Sequence, residues 1–149
     1  MHVPRKLLPL AELNEACFEG VHCTIKVSHP HPTIVIVAFE GQDTGELGNA
    51  AFLEIEKAFA FAPQIELFID ARHGKAASVD VSSDWARWLS SKRAHLLHIS
   101  MLTGSRFIQM SAGFVRKFAD LGDIMRLYSD AAAFEGAVTN SIANASARR

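Results

Sequence analysis

The sequence predicts a single α/β domain: a mixed sheet of about five strands and four main helices, in the order ββαβαβαβα. Three observations predict it. Short apolar runs recur along the chain, Thr33-Ile34-Val35-Ile36-Val37-Ala38-Phe39 being the longest, and segments with helical apolar spacing separate them. At 149 residues the chain has the size of one domain and can build a core without staples. Its 49% apolar and 21% charged residues favour neither disorder nor a coiled coil.

Residues 1–20 read as an arm or short helix, because Ala11 to Phe18 can form a helical turn closed by Gly20. The domain proper is expected over 21–144. Val21 to Ser28 alternates, with Val21, Cys23, Ile25 and Val27 on one face, which is the period of a half-buried strand. His29-Pro30-His31-Pro32 reads as a hairpin turn, since proline removes ladder donors. Thr33–Phe39 is continuous and β-branched, the pattern of a strand covered on both faces.

Leu47, Ala51, Ile55 and Phe59 then mark a helix, which Pro63 stops. Ile65 to Asp70 is strand-like, and Ala71 to Asp80 reads as a loop. A second helix carries Trp85, Trp88 and Leu89 on one stripe, with Ser82 or Ser83 as its cap. Leu97 to Leu102 is the next strand. Phe107, Met110, Phe114, Phe118 and Leu121 form the apolar stripe of a third helix, expected to face the core. Ile124 to Tyr128 and a last helix with Phe134, Val138 and Ile142 close the domain, and 145–149 reads as a frayed tail.

Bulk properties narrow the function. A net charge of -1 gives no basic excess for neutralising phosphates, so nucleic acid is not expected as a partner. The apolar runs are far shorter than the roughly 20 residues of a spanning helix, and Pro9 and Glu12 interrupt any export signal near the start. With only Cys17 and Cys23, the chain does not read as a disulfide framework, which suits a reducing, cytoplasmic setting.

Three segments carry a family resemblance: Thr33-Ile34-Val35-Ile36-Val37-Ala38-Phe39-Glu40-Gly41, Leu67-Phe68-Ile69-Asp70-Ala71-Arg72, and Ile124 to Phe134 with its Asp130-Ala131-Ala132-Ala133-Phe134 ending. With the element order, they resemble the STAS domain, specifically its SpoIIAA-like branch. The resemblance covers about 21–144 and implies a mixed sheet with helices, used for regulatory protein contacts. In the anti-sigma-factor antagonists of that superfamily, a serine in an Asp-Ser-Ser-Gly-like turn is phosphorylated. The nearest text here is Val79-Asp80-Val81-Ser82-Ser83-Asp84, in which Val81 separates the acid from the serines and Asp84 replaces the glycine. Phosphate on Ser82 would suit a helix N-terminus but face Asp80 and Asp84.

The remaining candidates each have a plain structural alternative. Ser82 and Ser83 are candidates for a phosphoswitch, but an N-cap with acidic support in the first turn is the favoured reading. Gly104, Ser105 and Arg106 follow a strand and open a helix, where backbone donors can hold an anion, or simply make a turn and cap. Asp70, Arg72 and His73 end a central strand, a common place for reactive groups in open α/β sheets, but an Asp–Arg pair explains them without catalysis. No phosphate-loop, dinucleotide or nucleophile-elbow motif occurs, and the seven histidines fall into no ligand spacing, so no catalytic set, cofactor or metal is expected. Phe61, which falls off the helical stripe, and Trp88 are candidate interface residues. The sequence thus predicts a non-enzymatic, regulatory STAS-like interaction module that binds a protein partner or a second copy as a homodimer. The alternative is a domain binding a small ligand, anion or lipid with loops at the C-terminal edge of the sheet.

Overall fold

Alternating apolar residues pair the chain into one six-stranded sheet, in strand order β1 to β6. The computed structural model describes residues 15–147. The strands are β1 (Ala16–Glu19), β2 (Cys23–His31), β3 (Ile34–Asp43), β4 (Ile65–Ala77), β5 (Leu96–Thr103) and β6 (Met125–Tyr128). The helices are α1 (Ala50–Glu56), α2 (Val79–Ser91), α3 (Arg106–Phe118) and α4 (Ala131–Ala147). Strands β1 to β3 are antiparallel neighbours, and β3 to β6 run parallel.

Three successive crossovers stepping the same way across the sheet, all of one hand, put α1, α2 and α3 on one face. The main core lies there, joining Val35, Val37, Leu67, Ile69 and Ile99 to Ile55, Leu89 and Val115. The other face belongs to α4, whose Phe134 and Ala145 pack on Ile34, Phe68 and Leu102. Phe134 meets the rings of Phe68 and Tyr128 edge-on.

Several expectations are corrected. The sheet has six strands rather than about five, because Ala16–Glu19 is a strand paired with Thr24–Val27 and not part of a helical turn. Ala16 and Phe18 are half-covered while Cys17 and Glu19 face solvent, an alternation that suits an edge strand better than a helix. The earlier part of that segment, residues 11–14, lies outside the described residues. Pro30 does not end β2; it sits where the register shifts between Ser28 and His31, a bulge that needs no ladder donor from it. The turn falls instead at Pro32-Thr33.

The segment expected as a loop after Asp70 continues β4 to Ala77, because it pairs with an equally extended β3: Glu40 with His73, Gly41 with Gly74, and Asp43 with Ala77. Gly41 has φ +89°, and a Cβ there would strike the carbonyl of His22. The first helix is shorter than its apolar stripe and ends in a 3-10 turn, Lys57–Ala60. Residues 145–147, expected to fray, are helical, and Ala145 is buried.

The largest correction concerns α3. Its buried residues are Ile108, Ala112 and Val115, whereas Phe107, Met110, Phe114 and Phe118 are 66%, 66%, 41% and 67% exposed. The helix carries two apolar stripes, and the smaller, flatter one packs on the sheet.

Candidate functional site

Asp70, Arg72 and His73 do not end β4: they lie within it, where its pairing with β5 stops at Ala71 while its pairing with β3 runs on to Ala77, and Asp70 and Arg72 share the α4 side of the sheet. Arg72 Nε donates to Asp70 Oδ1 at 3.1 Å, and its Nη2 pairs with Glu135 of α4 at 2.8 Å. Asp70 and then Glu135 raise the Arg72 guanidinium above its ordinary range. Asp70 also accepts the Arg72 backbone N–H. The charges satisfy one another and tie a helix to the sheet. His73 is exposed and follows a register shift.

The serines behave differently from their sequence reading. Ser78 caps α2, its hydroxyl accepting from Val81 N at 3.1 Å. Ser82 lies a turn inside the helix and is buried, so it neither caps the helix nor stands open to a kinase. Ser83 is half-buried on the same turn. Periodicity cannot separate these positions, since every serine ahead of an apolar stripe satisfies the capping pattern.

Gly104 has a steric reason to be glycine: a Cβ there would lie 2.2 Å from the Arg72 carbonyl oxygen. Ser105 caps α3, accepting from Ile108 N at 3.1 Å and donating to the Lys75 carbonyl at 3.1 Å. Its hydroxyl is therefore committed to the turn. Arg106 is exposed beside it. Trp88, expected at an interface, is buried: it stacks on Phe52 and donates its indole N–H to Glu56 at 2.7 Å. Phe61 is 78% exposed, past the 3-10 turn that ends α1.

Two further features could bind something. One is a cavity of about 80 Å³ between the sheet and helices α2 and α3, lined by Ile69, Trp85, Leu89, Met101 and Val115 among others. Buried Asp43 and Ser82, with half-buried Ser111, supply its polar points, Asp43 at the end where the parallel strands terminate. Asp43 Oδ1 accepts from Gly45 N. Nearby, burial pushes the Cys23 thiol up to about 11, with Asp43 and Glu46 adding to it. Glu46 is in turn held below its usual range by the backbone N–H of His22, with smaller help from Val21 and Cys23. A thiol so poised stays protonated and unreactive.

The other feature is the outward side of α3. Phe114 and Phe118 stack on each other with centroids 5.2 Å apart, and Phe107 and Met110 extend the stripe towards the helix start. The sequence shows the stripe; its direction becomes visible only once Ile108, Ala112 and Val115 are seen to pack on the sheet.

No protein-family model matches the chain, and no curated protein matches it in sequence. Among solved structures it is similar to an uncharacterized protein of the DUF3478 family, with a SpoIIAA-like fold, from Shewanella loihica PV-4. The TM-score is 0.53 at 14% identity, over 81% of this chain and 98% of that one. The fold is SpoIIAA-like. At that identity the likeness carries architecture and not activity. In this SpoIIAA-like sheet β4 runs on to Ala77, and Ser82 and Ser83 fall within α2. Among the described residues, no helix is long and apolar enough to cross a membrane, and no group of three or more His, Cys, Asp or Glu could hold a metal ion.

Proposed function

We propose that this chain is a non-enzymatic interaction module whose working surface is the outward face of α3. The observation that supports it is the exposure of Phe107, Met110, Phe114 and Phe118 along one helix whose other side is already packed. Monomeric proteins keep such contiguous apolar patches small, and larger ones mark contact surfaces. Four large side chains in a row on 13 residues form such a patch. Catalysis draws no support from Asp70 and Arg72, which are occupied with each other and with Glu135. Cys17 and Cys23 are both free, which suits a reducing, cytoplasmic setting.

A photo-crosslinking residue at Phe114, expressed in the native host, tests the reading against the same residue at Val21, which is equally apolar and more exposed. Crosslinks to protein, lipid or a second copy are expected at Phe114 above the Val21 background. Equal background at both positions would sink it.

The cavity supports a second reading, a small-ligand domain. Its walls are apolar, and Asp43, Ser82 and Ser111 offer a carboxylate and two hydroxyls, the few polar points that can orient a small apolar molecule carrying a donor. A rise in melting temperature with small aromatic alcohols, lost in Ala112→Leu, is expected on that reading; no rise with any of them counts against it.

A further inference from the structure

We infer that α3 docks on an anionic lipid surface, its aromatic stripe among the acyl chains and its basic residues against the headgroups; this rests on the reading of α3 as the working surface. Two independent observations carry it. The first is charge segregation along the chain. All 16 acidic residues lie outside 85–119, a stretch that holds Arg87, Lys92, Arg93, Arg106, Arg116 and Lys117. The whole chain is nearly neutral, at -1, so this basic stretch is a local feature.

The second is how those cations are used. Arg87, Lys92 and Arg93 are paired with Asp84, Glu56 and Asp123. Arg106, Arg116 and Lys117, all on α3 and all exposed, have no ion-pair partner among the described residues. At about 100° per residue, Arg106 and Lys117 fall beside Met110 and Phe114 on the solvent side of the helix. An apolar stripe with cations along its border is the pattern of a helix lying in a membrane interface, where it sinks about 5–10 Å. With 13 residues, α3 is about 20 Å long and can lie flat without unfolding.

The charge also argues against a second copy as the occupant. A two-fold contact between α3 faces brings cations towards cations, with no acid on the helix to answer them. An anionic bilayer supplies apolar depth and negative charge together.

The test is flotation of the full chain with vesicles of phosphatidylcholine alone or mixed equally with phosphatidylglycerol, at low and at high salt. Binding to the anionic vesicles is expected to exceed binding to the neutral ones by about tenfold or more, and to weaken with salt. Phe107→Ser/Phe118→Ser and, separately, Arg106→Glu/Lys117→Glu should each abolish flotation while leaving the melting curve in place, since all four side chains are exposed. Absent flotation of the native chain, or flotation unchanged by both double variants, would overturn the inference. Protein-only crosslinks at Phe114 without flotation would leave the interaction module standing and remove the lipid. A discrete dimer that Phe107→Ser/Phe118→Ser disperses, with no flotation, would assign the face to a second copy.

Discussion

Trp88 Nε1 donates to Glu56 Oε2 at 2.7 Å, so the last turn of α2 is fastened to the last residue of α1. The acceptor is charged but partly open to water, which lowers its worth below that of a fully buried pair. Trp88→Phe keeps an aromatic ring against Phe52 and removes the donor. Urea titration should show a loss of about 1 kcal/mol, counting the smaller ring; an unchanged midpoint would mean that the bond contributes nothing net.

Ser78, and neither Ser82 nor Ser83, satisfies the first turn of α2. Ser78→Ala should cost about 1 kcal/mol in urea unfolding, and Ser78→Asp should recover most of it. A larger loss in Ser83→Ala than in Ser78→Ala would place the cap elsewhere.

Gly104→Ala should destabilise by about 1–3 kcal/mol, because the new methyl meets the backbone of Arg72, which cannot rotate away as a side chain would. Gly113→Ala is the control: nothing lies near a Cβ at that position, and alanine suits a helix interior. That variant should equal or exceed the native midpoint.

Glu54 gives stability a pH dependence of definite sign. Burial opposes its ionisation, but hydrogen bonds and charge from Lys57 and His29 outweigh it and hold the carboxyl below 4.5. The unfolded chain then binds more protons in that window, so this stabilisation is present above 4.5 and is lost as the pH falls through the lowered value. Glu54→Gln should flatten the acid limb of a stability-against-pH curve; an identical limb in the variant would show that Glu54 has no part in it.

The two thiols should separate cleanly. At neutral pH a maleimide should label Cys17, on the exposed side of edge strand β1, and spare buried Cys23 until denaturant is added. With the folded Cys23 thiol at about 11 against an ordinary 9.0, its protonated form is favoured by folding. That contribution is complete below 9 and fades as pH rises towards 11, which native and Cys23→Ala chains melted side by side across that range would reveal. Equal labelling of both cysteines in the folded chain would refute the burial.

The element order from β2 onwards was legible because these elements carry their own periods: Val35 and Val37 alternate with Ile34 and Ile36 across β3, and Phe134 anchors α4 as its spacing suggests. What stayed hidden depends on partners distant in sequence. His73 to Ala77 has poor strand composition, and β3 makes it a strand by pairing with it. On α3 both apolar stripes fit a helix, and volume alone favours the aromatic one as core. The choice is made by space: Ala112 and Val115 let the helix approach the sheet closely, and the larger rings are left outside. The candidate surface was thus present in the sequence as a pattern and absent as a direction.

The division of the sheet's two faces also sets a timetable. During N-to-C synthesis the elements of the α1 to α3 side emerge first, while Ile34, Phe68 and Leu102 on the reverse wait for Phe134 and Ala145. Until residues 131–147 have left the ribosome tunnel, any sheet the chain forms has its second side bare and apolar. Arrested chains ending before α4 should therefore be the aggregation-prone species, and the ones a chaperone recognises.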